Sequence, residues 1–494
     1  MKRMCIITAI LLFISNAFLI LSIPRIQSEG WSEDIRLTCT ENTSAAPAIA
    51  VWENNVHVVW AEEGWAKYRQ LWYVNSNDGE NAWNTPMCLS SSMYTRVNGP
   101  KVAVNGSNIH VIWEESLDLT IHYIHSTDNG NSWDAERILT PRVYHLTDNW
   151  DIAVFESNLH VIYMDYNSTL SYIRSTNNGI TWSKPHVISA TYMRSTHTAI
   201  AVNENNVHVV WEDFHFAQTE LFYIKSEDDG LTWGNIINIT CSPLSSNRYV
   251  DMDIDNGCIY VVFGNEENTR QLYFCYSEDN GVTWVRNIKL TNSTEDIFYP
   301  VIGTENSRIF VAWKQQYSGI FYKYSNDRGA TWSSNTLLTV NTSYNVWPEI
   351  DSNNNAFHFV WMSDRDGNME IYYKRYKIPS SIINATLDID PDTLNLKSKG
   401  RWITTYIELP DGYDVNDINI STILLEDIIF AEKHPSEIGD YDNDGIPDLM
   451  VKFDRSEVED ILDINESISL TVSGGFFDDN TFEGSDAIRV INPP

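Results

Sequence analysis

The chain has 494 residues, and 33 Lys and Arg against 67 Asp and Glu give it a formal net charge of −34. That balance excludes nucleic acid as a partner, because such binding is driven by cations that displace phosphate counterions. With 43% hydrophobic residues, 18 Trp, 25 Tyr and 18 Phe, the chain carries too much apolar surface to be disordered.

Residues 1–28 read as a secretory signal: Lys2 and Arg3 precede an apolar run from Met4 to Ile23. The run is also long enough for one membrane anchor, so tethering through an uncleaved segment stays open beside secretion. Nine Asn-x-Ser/Thr sequons (Asn42, Asn105, Asn167, Asn238, Asn292, Asn341, Asn384, Asn419 and Asn465) fit an extracellular glycoprotein. Beyond the signal five cysteines remain, an odd number; Cys258 and Cys275 flank an expected hairpin and are candidates for a bridge.

From residue 29 to 379 the chain repeats. An octet of the form Ser-x-Asp-x-Gly-x-Thr-Trp ends at Trp133, Trp182, Trp233, Trp284 and Trp332, and a variant at Trp83 has its Gly one place early; the spacings are 50, 49, 51, 51 and 48 residues. In phase runs a second motif, such as Asn-Val-His-Val-Val-Trp, ending at Trp60, Trp113, Tyr163, Trp211, Phe263, Trp313 and Trp361. Each period holds four short alternating runs with no helical stripe, which predicts one four-stranded antiparallel sheet per repeat and a β-propeller overall. In the octet, Ser and Asp tie down a tight turn, Gly supplies φ > 0, and the Trp folds between neighbouring sheets, where its burial contributes at most about 4–6 kcal/mol. The seventh repeat stops before an octet, while Gly30 to Thr38 matches the end of one plus an outer strand. The N-terminus is therefore expected to close a seven-bladed ring.

The octets resemble the Asp-boxes, or bacterial neuraminidase repeats, of the sialidase superfamily of β-propellers, over about Trp31 to Lys377. The resemblance implies a fold shared by glycosidases, lectin-like proteins and receptors. Strand order puts the octets on one face and the loops entering each inner strand on the other. Those loops carry Arg beside Tyr (Tyr94 and Arg96, Arg142 and Tyr144, Tyr192 and Arg194, Arg248 and Tyr249), opposite acidic loops at Glu62, Glu63, Glu114, Glu115, Glu212, Asp213, Glu266, Glu267, Asp364 and Asp366. Convergent guanidinium groups suit a carboxylate, so Arg96, Arg142, Tyr144, Tyr192, Arg194, Arg248 and Tyr249 form the candidate ligand site. The resemblance to sialidases implies an Arg before the first inner strand. This chain has Ala45-Ala46-Pro47 there, which argues against hydrolysis. The recurring His57, His110, His160, His208 and His358 occupy one site in five blades, as structural histidines do.

Residues 380–494 change composition. Their β-like runs (Trp402–Leu409, Ile420–Leu425, Leu449–Phe453, Ile468–Val472, Ala487–Ile491) predict one β-sandwich. Inside lies Asp-Tyr-Asp-Asn-Asp-Gly-Ile-Pro-Asp, and Asp440, Asp442, Asp444 and Asp448 with Gly445 at the sharp turn suit Ca2+. The twelfth position is Val451 where an EF-hand has Glu, so the loop looks like those of thrombospondin type-3 and dockerin-like repeats. The expectation is a secreted, calcium-binding propeller that binds a glycan or another cell-surface ligand without efficient catalysis. The alternatives are an exo-sialidase-type glycoside hydrolase and a protein-interaction scaffold.

Overall fold

The computed structural model describes residues 30–64, 68–79, 82–90, 94–143, 149–189, 197–215, 218–240, 246–266, 268–339, 343–353, 355–378, 382–410, 412–462, 468–476 and 480–492. Residues 1–29, which include the segment expected to be a signal, and Tyr144, Tyr192, Arg194, Cys241 and Glu267 lie outside them.

Seven four-stranded antiparallel sheets occupy residues 30–378. In the first, the order from inside out is Ser44–Trp52, Asn55–Glu63, Arg69–Ser76 and Met87–Cys88. Each inner strand packs against the next, and Ser44–Trp52 touches both Val97–Asn105 and Asn345–Asn353, so the array is a closed β-propeller. Closure is made by the N-terminus. Ile35–Arg36 is the outer strand of the seventh sheet, with Ile35 opposite Tyr373 and Arg36 opposite Tyr372.

The second strands are buried on both faces, which explains their continuous apolar runs. Their histidines are internal: Nδ1 of His57, His110, His160, His208 and His358 lies 2.7–2.8 Å from the hydroxyl of Tyr73, Tyr123, Tyr172, Tyr223 and Tyr373. The octets are turn locks. In the second sheet Ser126 Oγ donates to Asp128 Oδ1 at 2.8 Å, the Gly130 amide donates to Ser126 Oγ at 2.9 Å, and the Ser132 amide donates to Asp128 Oδ1 at 2.8 Å. Trp133 meets Tyr73 of the preceding sheet edge-on at 4.9 Å, and Trp182, Trp233 and Trp284 repeat this against Tyr123, Tyr172 and Tyr223. Gly230 is required twice over: its φ is +77°, and a Cβ there would stand 1.9 Å from the Tyr172 hydroxyl.

Among the described residues no strand pairs with the axial edge of an inner strand, and in several sheets acidic side chains of a neighbouring inner strand bond its amides. Asp151, Asp251, Asp253 and Asp351 accept the amides of Ile200, Ile302, Thr304 and Val51 in the next sheet at 2.7–3.0 Å. The expected Cys258–Cys275 bridge is not formed. Both are buried free thiols, and register places Cys275 opposite Val261 and Cys258 opposite Asp255.

Burial sets the acid and alkaline limits of this structure. It pushes His57, His110, His208 and His358 down to about 3, 3, 4 and 3, and Asp251, Asp253 and Asp351 up to about 8, 6 and 7. Below about pH 6.5 the unfolded chain binds more protons at the histidines than the folded one, so their contribution to stability is lost as pH is lowered toward the folded values. The raised carboxyls act oppositely: their contribution is present at low pH and is lost as pH rises through the folded values. Thermal stability should therefore peak between about pH 6 and 7, where the two opposing slopes cross. Asp251→Asn should flatten the alkaline limb, and a melting temperature that climbs steadily to pH 9 would contradict the assignment.

The remaining strands form two sheets. One has six strands, including Ile468–Gly475 and Thr481–Ile491; the other orders Thr386–Asp390, Trp402–Glu408, Asp448–Asp454 and Glu432–Gly439. Leu394, Ile403, Ile407, Val451, Phe453, Leu470, Val472 and Val490 make their common core. One local expectation changes: in the expected run Ile420–Leu425 only Leu424–Leu425 is strand, and Ile420–Thr422 is a 3-10 turn capped by Asn419. Outside the expected runs, Arg455–Ile461 is a helix whose N-terminal amide at Ser456 is capped by Asp454.

Candidate functional site

Octet residues bond the hairpins that follow the inner strands, as when the Asn129 amide donates to the Ser107 carbonyl. Octets and hairpins thus share one face. The opposite face opens into a funnel on the ring axis, lined by the residues that begin the inner strands. The space between these residues, counted with the open solvent at its mouth, is about 930 Å³.

A local irregularity shapes its wall. In five inner strands the register slips by one residue near the start. The slip holds Ala46, Gly99, Tyr249, Tyr299 and Trp347 at φ of 50°, 48°, 60°, 49° and 52°. Such bulges re-aim a side chain. Left-handed backbone at a bulky residue costs about 1–3 kcal/mol and persists where surrounding structure enforces it, commonly at functional sites. Here it turns three aromatic side chains toward the funnel as a connected arc. Tyr249 and Tyr299 are 5.1 Å apart and Tyr299 and Trp347 6.0 Å, both edge-on.

Below the arc is a charged layer. Ala48, Lys101, Asp151, Ala199, Asp251, Val301 and Glu349 occupy one register position around the ring, each opposite the residue before the second-strand aromatic. Lys101 Nζ lies 3.3 Å from Glu349 Oε1, spanning the small Ala48 between them. Asp251 Oδ2 is held by the Ile302 amide, and its pKa is pushed up to about 8 by burial first, with Glu349 and Asp151 adding to it.

One side of the funnel carries a His–Glu pair. His197 Nδ1 is 2.8 Å from Oε1 of the buried Glu212, which also accepts the Tyr249 amide. The imidazole meets the Tyr249 ring at 4.8 Å. Arg270 stacks on the Tyr249 and Phe298 rings at 5.2 and 4.7 Å and pairs with Glu266 at 2.7 Å. A carboxylate that fixes an imidazole at the mouth of a cleft is the arrangement of an oriented general base.

Of the sequence-predicted site, Tyr249 lines the funnel. Arg96, Arg142 and Arg248 do not. The Arg96 amide is held by Glu115 at 2.8 Å and its guanidinium lies over Tyr68; Arg142 lies over Tyr166; Arg248 Nε sits 3.0 Å from Glu266. Nearby tyrosines take the Arg96 and Arg142 guanidinium groups and Glu266 takes that of Arg248, so among the described residues these arginines do not line the funnel. Arg69 lines the cavity instead, together with Asn98, Lys101, His197, Tyr299 and Trp347. The readable signal for the last two was the aromatic-Pro pair, Tyr299-Pro300 and Trp347-Pro348, at the same place in the repeat as Ala46-Pro47 and Gly99-Pro100.

The acidic loop leads into Asp448–Asp454. Asp440, Asp442 and Asp448 bring carboxylate oxygens within 4.8 Å of one another, and so do Glu408, Asp442 and Asp444. The loop is wound around its own side chains: the Asp444 and Gly445 amides donate to Asp440 and the Tyr441 amide to Asp448 Oδ2. Val451 is buried and cannot serve as a ligand. Glu408, opposite Asp448 on the neighbouring strand, brings a fifth carboxylate beside the loop. Burial first, and then the neighbouring carboxylates, raise the pKa of both Glu408 and Asp448.

No protein-family model matches the chain, and no curated protein sequence does. Solved structures do resemble it. An ulvan lyase, described as a new family of polysaccharide lyase, superposes with a TM-score of 0.50 at 11% identity, covering 67% of this chain and 93% of that one. A protein of unknown function from Dyadobacter fermentans DSM 18053 gives 0.47 at 13% identity over 71% and 100%. A Hadza microbial sialidase gives 0.40 at 14% over 68% and 66%. The similarity is one of fold, and the fold of this chain is the β-propeller.

Proposed function

We propose that this protein is an extracellular glycan-binding propeller whose ligand enters the axial funnel, with Ca2+ held by Asp440, Asp442, Asp444, Asp448 and Glu408 in the C-terminal sandwich. The observation that carries the reading is the arc of Tyr249, Tyr299 and Trp347, each in left-handed backbone and each turned toward a layer of carboxylates and a lysine. Sugar rings offer an apolar C–H face to stack on aromatics and hydroxyls to bond charged groups, and the funnel supplies both side by side. The ulvan lyase has been seen bound to -[GlcA(1-4)Rha3S]-, and oligosaccharides of that composition are accordingly the first ligands to test. Binding should be measured by calorimetry on the secreted chain. Trp347→Ala with Tyr299→Ala should cost about 2 kcal/mol, or about thirtyfold in Kd. An unchanged Kd would reject the funnel as the site.

A second reading is favoured by the His197–Glu212 pair beside Tyr249. A base oriented by a carboxylate, with Lys101 and Arg69 nearby to neutralise a substrate carboxylate, suits proton abstraction next to that group and β-elimination of the polymer. Hydrolysis of sialidase type gains no support at the first inner strand, where Ala46 faces the cavity. Appearance of an unsaturated product with the wild type, lost in His197→Gln while binding persists, would select the lyase reading over binding alone.

A further inference from the structure

In the fourth and seventh sheets the residue after the second-strand aromatic reaches the start of the next inner strand and accepts from it. Glu212 takes the Tyr249 amide, and the Met362 sulfur lies 3.3 Å from the Ala46 amide. In the sixth sheet this residue is Lys314, at the end of Arg308–Gln315 and at the seam with the seventh sheet. An ammonium can only donate. Lys314 is 4% exposed, yet among the described residues no carboxylate or carbonyl takes its Nζ; what it meets is the Tyr344 ring, 5.2 Å away. Lys323, buried to a similar degree, donates instead to the Leu290 carbonyl at 2.8 Å.

The charges around Lys314 are already engaged. Glu295 acts on it from a distance, while accepting the Ser318 hydroxyl at 2.7 Å and the Tyr317 amide at 3.1 Å. Asp364 accepts the Tyr344 amide at 2.8 Å. Burial outweighs Glu295 and holds the Lys314 pKa below the usual lysine value. Val340, Asn341 and Thr342, which lie outside the described residues just before Ser343, carry no charge. A desolvated ammonium without an anion is costly, and this one stands on the funnel face among aromatics that are open to solvent. Tyr317, in the turn after Lys314, is 82% exposed and Tyr344 54%. Three residues beyond Tyr344, about 10 Å along the strand, comes Trp347, the end of the arc that lines the funnel.

We propose that Lys314 receives the acidic substituent, a carboxylate or a sulfate, of the saccharide held in the funnel. The proposal rests on the glycan reading above and adds to it the charge of the ligand and the residue that reads that charge. At the seam between the fourth and fifth sheets the chain supplies the anion itself, as Glu212; at the seam between the sixth and seventh it supplies the cation and leaves the anion to the ligand.

The probes are -[GlcA(1-4)Rha3S]- oligosaccharides, the same oligosaccharides with the carboxyl reduced, and the same with the sulfate removed, titrated by calorimetry into the full chain. Wild type should bind the intact form about tenfold or more tighter than at least one of the altered forms, and the form that loses affinity identifies the group read. Lys314→Met keeps the length of the side chain without its charge. It should bind the intact form no better than wild type binds the weaker one, while its affinity for that weaker form is unchanged. It should also melt no lower than wild type, because it removes an unpaired buried cation. Wild type binding all three forms alike would overturn the proposal and leave the glycan reading standing. So would a Lys314→Met variant that still discriminates, or one that weakens every form equally and melts lower. Wild type that binds none of the three would remove the glycan reading and this proposal with it.

Discussion

A chain that begins at Cys39 instead of Gly30 should melt about 10 °C or more below the full protein. The deleted stretch is short, yet it holds the ring shut. Trp31 packs among Phe310, Tyr322, Phe359 and Tyr376 at centroid distances of 4.9–6.3 Å. Arg36 pairs with the buried Glu370 at 2.9 Å, and Asp34 with Arg365 and Lys374 at 2.6 and 3.1 Å. Removing it leaves Glu370 buried without its guanidinium and exposes the edge of Glu370–Lys377. Breaking one such pair costs about 3–5 kcal/mol before the aromatic packing is counted, and a domain of this size shifts about 2–4 °C per kcal/mol. Deletion of residues 382–494 should leave the propeller transition where it was, since Ile383 to Val490 pack into a core of their own. Equal losses from the two truncations, followed by scanning calorimetry, would refute closure by the N-terminal strand.

Calcium removal is expected to produce the second large effect. Asp440, Asp442, Asp444, Asp448 and Glu408 crowd five carboxylates around one loop, and without a cation their mutual repulsion acts directly on the strand pair Trp402–Glu408 and Asp448–Asp454. At a hundredfold excess over Kd, Ca2+ should stabilise the sandwich by about 2.7 kcal/mol. Tyr441 lies within the loop with its ring tilted against Tyr406 at 4.6 Å, so terbium bound in place of calcium should be sensitised by tyrosine excitation. Asp442→Ala with Asp444→Ala should abolish both the luminescence and the response of the melting curve to chelator. Glu408→Gln should weaken binding while leaving Asp440, Asp442, Asp444 and Asp448 in place. Luminescence that survives the double substitution would place the cation elsewhere.

The propeller was legible in the sequence because its determinants are local and repeated. An octet fixes its own turn through Ser126, Asp128 and Gly130, all within five residues, and a second strand buried on both faces must read as an apolar run wherever it stands in the ring. The missing final octet and the orphan outer strand at Ile35–Arg36 even fixed how the ring closes. The acidic loop was legible for the same reason, its four aspartates being close in sequence.

The floor and wall of the funnel were decided by tertiary structure. Lys101 and Glu349 are 248 residues apart and meet because their strands share a register position around an axis, which no local pattern encodes. The arginines beside Tyr94, Tyr144 and Tyr192 have the composition of an anion site, yet Arg96 and Arg142 spend their guanidinium groups on nearby Tyr68 and Tyr166. His197 gains its orientation from Glu212, on the next strand of the same sheet, and Glu408 joins the acidic loop from 32 residues upstream of Asp440 through its pairing with Asp448. Spacing along the chain determines turns, strands and caps. Which side chains converge is set by ring closure, strand register and the one-residue slips that turn Tyr249, Tyr299 and Trp347 inward.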